Sequence, residues 1–499
     1  MCAYPYMSGD RCALTAWRWC GLVFVTASIS IAVSPDLAPA AELQEIVIRE
    51  LATDYTWGYH CGVKQPLGAH KNGLSVHQLT KNNVPIEWNV GNPDYLFWVD
   101  EYRDLYGIAK KPTGMFDGWV KNPGGMVAFG SDGHLWFTYG ARANNLPPDL
   151  FLSPEAYDPD SFNRVLDDYV TSAGSTSWNL LVGEPKLMMA WREGWSPDPT
   201  TTVRFRRYDT TVGMQTVEHE VDVGLGHLHE TMGDIGIEQV WTRFDPRFNY
   251  TLLTWHWLYV DPHMFGSCPF VYSEDYGDTW RKADGTVLEL PVHYGEIDDV
   301  LVPHDHLPIG DTTSWQQGDL GVSPNGTFWM MHPWGDARID GMARPYFWFF
   351  NGSAWEHRDV VGGMYNNSKP YACGATANTL IMVYSAYETS NILHARVSYD
   401  DGVTWSEPIV LDAMDPTDHV SWVSFAQPAD GYINESARFY YAYFNDADGA
   451  GAKTWRNRVN WVRVTATPPE DTCPCDLTDD DVVDVIDLMI LIGDWGACP

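Results

Sequence analysis

Positive charge is scarce in this sequence. Thirty-one Lys and Arg face 66 Asp and Glu, for a formal net charge of −35. A chain this acidic offers no broad basic surface, which argues against nucleic acid as a partner. It also means that an anionic ligand requires a local cluster of cations. Cysteine is sparse: nine residues, of which Cys2, Cys12 and Cys20 lie in the first 40 positions. Cys61, Cys268 and Cys373 are scattered through the body, and Cys473, Cys475 and Cys498 bracket the end. That excludes a disulfide-built scaffold, and spacing alone fixes no connectivity. No stretch after residue 40 is long and apolar enough to span a membrane. Helical periodicity is nearly missing before the tail.

What is present begins with an export signal. Arg11 and Arg18 precede the apolar run "CGLVFVTASISIAV" (20–33), and Ala38 and Ala40 form a small-x-small cleavage pattern. Residues 1–40 are therefore expected to be a signal peptide, and the protein to be secreted or held at the cell surface. A monomer is expected.

The body, 41–467, is rich in Trp, Tyr, Phe and Gly, and its apolar runs are short and bounded by turn signals. "MVAFGSDGHLWFTYG" and "LGVSPNGTFWMMH" each read as strand, Asp-Gly or Asn-Gly turn, strand. "EPKLMMAW" and "ANTLIMVY" read as buried strands. The eight-residue device Ser-x-Asp-x-Gly-x-Thr-Trp occurs twice, from Ser273 to Trp280 and from Ser398 to Trp405. Its Asp closes a turn, its Gly permits positive φ, and its Trp must be buried. Asp132 and Asn325 are 193 apart, as are Leu187 and Leu380, and the two devices are 125 apart. A degenerate copy at Asp209 precedes Asp275 by 66. These spacings fit three, two and one copies of a unit of roughly 60–66 residues, in the range of radial repeats. An all-β propeller follows, with about seven blades over the body.

The tail, 468–499, is a Pro-rich linker followed by "DLTDDDVVDVIDLMILIGDWGACP". Asp476, Thr478, Asp480, Asp484 and Asp487 fall at positions 1, 3, 5, 9 and 12 of a calcium loop, ahead of a short amphipathic helix. The segment resembles one calcium repeat of a type I dockerin, with Asp481 where the loop usually has Gly. Calcium is the expected cofactor there, and the tail is a candidate contact for a cell-surface or sorting partner.

The repeated device alone matches the Asp-box propellers, sialidases among them, but no Arg-Ile-Pro motif or arginine triad accompanies it. Three longer stretches are more specific: "NPGGMVAFGSDGHLWFTYGARANNLP" (122–147), "LMMAWREGWSPDPTTTVRFRRYD" (187–209) and "TWHWLYVDPHMFGSCPFVYSEDYGDTWRKADGTVLELP" (254–291). In order and style they resemble the BNR-4 repeat family, which is similar to the seven-bladed ulvan lyases of polysaccharide lyase families 24 and 25. The resemblance implies β-elimination on an acidic polysaccharide. A cation neutralises the uronate carboxylate, a base takes the C5 proton, and an acid protonates the leaving oxygen. Arg207 falls where that family has its neutralising Arg. The family's two His positions hold Lys121 and Arg142, and its Tyr position holds Trp191, followed by Arg192. These four are the candidate substrate-binding residues.

Substitute proton-transfer groups are His227 and His229 of "GHLHE", whose alternation puts both rings on one strand face. His304, Asp305 and His306 form a similar cluster. Tyr208 adjoins Arg207 but points to the opposite face of a strand. Cys268 and Cys373 leave a structural zinc or a disulfide open. The leading expectation is an exported lyase cleaving a uronate-containing, ulvan-like glycan. Two alternatives stand beside it. One is a sialidase- or rhamnosidase-like hydrolase using carboxyls such as Asp234 and Glu238; the other is a non-catalytic glycan-binding propeller.

Overall fold

The computed structural model describes most of residues 178–466 and, before that, segments between 43 and 166; residues 1–42, 467–499 and several connecting loops lie outside the described residues. The expected signal peptide falls outside them. So do Lys121, Arg142, His304, Asp305, His306 and the calcium-loop residues Asp476, Thr478, Asp480, Asp484 and Asp487.

Short apolar runs broken by turn residues fold as antiparallel strands, and among the described residues these form seven sheets. The first holds Leu74–Leu79, Tyr95–Asp100 and Leu105–Lys110. The second holds Pro123–Phe129, Leu135–Ala141, Asp149–Leu152 and Asn163–Leu166. The third holds Trp178–Gly183, Lys186–Glu193, Thr202–Asp209 and Val217–Leu225. The fourth is built on Gly233–Asp245, Tyr250–Tyr259 and Cys268–Ser273, with the short strands His227–His229, Met264–Phe265 and Asp299–Val300. The fifth holds Asp319–Val322, Phe328–Trp334, Met342–Phe350 and Trp355–Asp359, with Met364–Tyr365 beside them. The sixth holds Tyr371–Ala375, Leu380–Tyr384, Ile392–Ser398 and Ile409–Ala413.

The seventh sheet combines both ends of the described chain. Asp418–Phe425, Ser436–Asn445 and Trp455–Ala466 are joined by Leu43–Trp57, which pairs with the last strand from Leu43 opposite Ala466 to Trp57 opposite Trp455. The opening strands of successive sheets touch from Leu74–Leu79 through Asp418–Phe425, and Leu43–Trp57 touches Leu105–Lys110 of the first sheet.

The core is laminated between sheets. Met188, Val203 and Phe205 of the third sheet pack on Val240, Trp255 and Val271 of the fourth. Leu252 and Phe270 of the fourth meet Leu320, Phe328 and Met330 of the fifth. Trp329, Met331 and Phe347 then meet Tyr371, Leu380 and Met382 of the sixth, whose other face packs on Val420, Phe439 and Val462. A sheet covered on both sides needs apolar residues on both faces, which is why "KLMMAWRE" is buried along nearly its whole length.

The repeat spacings coincide with equivalent places in the sheets. Leu187 and Leu380 lie in the second strands of the third and sixth sheets, and Asn325 sits in the first hairpin of the fifth. The two Ser-x-Asp-x-Gly-x-Thr-Trp devices follow the third strands of the fourth and sixth sheets, and Asp209 ends the third strand of the third. In each up-and-down sheet the first and last hairpins share one end, and the second-to-third connection occupies the other.

Candidate functional site

Each Asp box closes on itself through the same bonds. Ser273 Oγ donates to Asp275 Oδ1 at 2.8 Å and accepts from the Gly277 amide at 2.7 Å, while the Thr279 amide donates to Asp275 Oδ1 at 2.8 Å. In the second copy Ser398 Oγ donates to Asp400 Oδ1 at 2.9 Å, and the Gly402 and Thr404 amides donate to Ser398 and Asp400, each at 2.8 Å. Each box also clips the preceding sheet. Gly277 and Gly402 have φ of +95° and +94°, and a Cβ on either would collide with the ring of Phe205 or Phe347. Trp280 stands edge-on to Phe205 at 5.2 Å and Trp405 edge-on to Phe347 at 5.0 Å.

Arg207 belongs to this clip. Its Nε donates to Glu218 Oε2 at 2.8 Å, its Nη1 to the carbonyls of Tyr276 at 3.0 Å and Asp275 at 3.3 Å, and its Nη2 pairs with Asp278 at 3.0 Å. Arg358 plays the matching part at the second box, donating from Nε to the Val403 carbonyl at 3.1 Å. The neutralising role that the resemblance implies for Arg207 therefore competes with four internal acceptors.

The charges of the clip give it a pH dependence. Burial pushes Asp275 up, but the Thr279 amide and the Ser273 hydroxyl outweigh it and hold the carboxyl below its ordinary 3.8. Lys186, and then Arg207, hold Glu218 below the usual range. Folded-state values below the unfolded ones give stability that is complete above about pH 5 and is lost as pH falls through the folded values. Urea midpoints measured across this range should be flat above about pH 5 and drop below about pH 4, with a shallower drop in Asp275→Asn. An unchanged acid slope in that variant would remove Asp275 from the account.

The other sequence candidates separate. Trp191 and Arg192 are 1% and 2% exposed. Trp191 lies beneath the Arg206 guanidinium at 5.5 Å, and Arg192 Nη1 donates to the Ile237 carbonyl at 3.5 Å. Arg192 opposes Val203 and Arg207 opposes Met188 across one strand pair. Four residues of strand, about 13 Å, thus keep the two arginines apart. Arg192 is at the end with the second-to-third connection. His227–His229 pairs with Gly233–Ile235, whose other partner, Tyr259, leads into the same kind of connection. Lys121 and Arg142 lie outside the described residues, but Pro123 and Ala141, two positions and one position away, oppose each other at one edge of the second sheet. Arg207 stands at the other end of its sheet, with the hairpins. Tyr208 sits on the opposite face from Arg207, as alternation demands, and accepts from Arg206 at 3.2 Å.

A different cluster joins the fourth and fifth sheets. His256, Cys268 and His332 are buried, and their ligand atoms all lie within 4.8 Å of one another. The imidazoles are 5.1 Å apart, and Trp241 stands edge-on to both at 4.8 and 5.5 Å. Burial drives the His256 pKa down to about 3, so its ring is neutral at neutral pH. The donor set, two imidazoles and one thiol, is the set that zinc takes. Cys373 is placed differently: its amide donates to Asp319 Oδ2 at 3.3 Å, and burial pushes its thiol well up. Cys268 and Cys373 form no disulfide, which corrects that option. Sequence reasoning flagged Cys268 but missed both histidines. Their signal is a lone His inside the apolar runs "LLTWHWLY" and "FWMMHPW".

No protein-family profile matches the chain, and no curated protein matches it in sequence. Solved structures do. The chain is similar to a PL25 ulvan lyase bound to -[GlcA(1-4)Rha3S]-, with TM-score 0.60 and 13% identity over 83% of this chain and 95% of that one. It is similar to the polysaccharide lyase Uly1, with TM-score 0.57 and 11% identity over 85% of this chain and 99% of that one. At such identities the likeness is one of fold, and the fold is that of the ulvan lyases. Among the described residues no helix is long and apolar enough to cross a membrane.

Proposed function

We propose that the protein is an exported polysaccharide lyase that cleaves a uronate-containing, ulvan-like glycan by β-elimination. The observation that carries this reading is the fold likeness to the PL25 ulvan lyase over 95% of that chain. In this reading the seven sheets are the blades of a closed propeller, fastened where the chain's first described strand joins its last sheet. The substrate lies across the second-to-third strand ends. Lys121 and Arg142 supply positive charge for the carboxylate, and His227 and His229 exchange the proton. The base removes the C5 proton, the C4–O bond breaks as the C4–C5 double bond forms, and the leaving oxygen takes up a proton. Trp191 and Arg192 shape the wall of the site from below, and Arg207 positions the third sheet against the fourth. The tail binds calcium through Asp476, Thr478, Asp480, Asp484 and Asp487, and a structural zinc sits on His256, Cys268 and His332. Zinc held by these three residues would tie the fourth sheet to the fifth.

A second reading is favoured by one observation. The positions that match the lyases' His and Tyr hold Lys121, Arg142 and Trp191, which suits a propeller that binds acidic glycans without cutting them. Incubation of the full chain with ulvan and other uronate polysaccharides separates the two. Ultraviolet absorbance and reducing ends rising together is the expected result. Reducing ends rising alone would mean hydrolysis, and binding with neither would mean the non-catalytic propeller.

A further inference from the structure

In a chain carrying a net charge of −35, arginines readily find carboxylates. Arg204, Arg206, Arg207, Arg243 and Arg247 each face one. Arg396 has none among the described residues. It lies on the third strand of the sixth sheet, Ile392–Ser398, half-buried, and its Nε donates to Tyr384 Oη at 3.2 Å. Both Nη groups remain for another acceptor.

The surroundings suit an anion. Tyr384 is the cross-strand partner of His394, and the two rings stack at 5.5 Å with 26° between their planes. His394 Nδ1 is buried with no hydrogen-bond partner among the described residues. Burial, and then the charge of Arg396, keep the His394 pKa below its ordinary value, so the imidazole stays neutral beside the guanidinium. Val410, opposite His394 on the next strand, is 53% exposed, so the edge of the cluster is open to solvent. A partly desolvated guanidinium with no counter-charge is costly, and an oxyanion offsets that cost. Tyr384 ends the second strand, so the cluster stands by the connection 385–391, the same kind of end that holds Arg192 and His227–His229 in their sheets.

We propose that Arg396, held by Tyr384 and flanked by His394, is an oxyanion subsite that takes the carboxylate or sulfate of an acidic sugar. Arg396 forms the charged, two-pronged contact, and the His394 ring, stacked on Tyr384, holds the tyrosine that fixes the guanidinium. The subsite deepens the proposed function and rests on the reading that the ligand is an acidic glycan.

The test is calorimetric binding of ulvan oligosaccharides to the full-length protein, with carboxyl-reduced and desulfated oligosaccharides as parallel ligands. Arg396→Met, which keeps the aliphatic stem, should weaken binding about tenfold to a hundredfold. Arg396→Lys should recover part of the loss, because it restores charge without the planar fork. Loss of the Arg396 effect with one modified oligosaccharide identifies the group that is held. Equal affinity of wild type and Arg396→Met, with unchanged melting temperature, would overturn the subsite even if the wild type produces unsaturated product. If instead the wild type binds through Arg396 and makes no unsaturated product, the lyase reading fails and the subsite stands.

Discussion

Wild-type protein is expected to emerge from purification with one zinc equivalent, and Cys268→Ser protein without it. The thiolate is the one charged ligand of the three, and serine keeps its size while losing its affinity for zinc. Binding releases the thiol proton to solvent, so occupancy falls as pH falls. Burial favours the neutral, metal-binding form of the His256 ring. A metal that binds only the folded state at a thousandfold excess over Kd adds about 4 kcal/mol of stability. Zinc-loaded wild type should therefore melt higher than chelated wild type, whereas Cys268→Ser should not respond. His332→Ala should behave like Cys268→Ser, and Cys373→Ser like wild type, since Cys373 sits with Asp319 outside the cluster. Elemental analysis decides it: zinc retained in Cys268→Ser, or absent from wild type purified without chelator, would sink the site. The four proteins together also separate this site from any metal held by the acidic tail.

Trp280→Ala should cost about 3–5 kcal/mol, the largest loss expected from any single truncation in the two Asp boxes. Trp280 is 1% exposed, in the layer that holds Met188, Phe205 and Trp255. Trp405 occupies the same place in the second box but is only partly buried, so Trp405→Ala should cost roughly half as much. Because Trp280 meets Phe205 of the preceding sheet, a double-mutant cycle between them should show coupling of about 1 kcal/mol. Gly277→Ala adds an independent check. It combines a left-handed backbone with a collision against the same Phe205 ring, for an expected loss of about 3 kcal/mol. Urea denaturation measures all of these. Equal losses at Trp280 and Trp405, or no coupling to Phe205, would mean that the box is only a local turn and not a clip between sheets.

Much of the architecture was legible because it is local. "LMMAW" and "LIMVY" are apolar on both faces, and the Asp-Gly and Asn-Gly pairs mark hairpins; those patterns fix strands and turns within a dozen residues. The spacings of 193, 125 and 66 then placed equivalent residues in sheets three, two and one apart. What the sequence could not supply was which side chains meet across sheets. Arg207 read as a lone cation beside a tyrosine; Glu218 reaches its guanidinium from the paired strand of the same sheet, and only the packing of the third sheet on the fourth adds Asp278 and two carbonyls. Trp191 and Arg192 read as a sugar-binding pair because aromatic and cationic residues are equally at home on a surface and between sheets. His256 and His332 are 76 positions apart with no motif that links them, and two strands of neighbouring sheets put them beside Cys268. The opposite faces of Arg207 and Tyr208 follow from alternation alone, whereas the neighbours on each face are set by contacts between residues remote in sequence. By itself, then, the sequence determined the all-β repeat and its hairpins, since turn chemistry and period-two burial act within one strand pair. Which charged and metal-binding side chains meet across sheets, Arg207 with Asp278 and His332 with His256 and Cys268, was decided only by the tertiary structure, since those partners belong to different sheets.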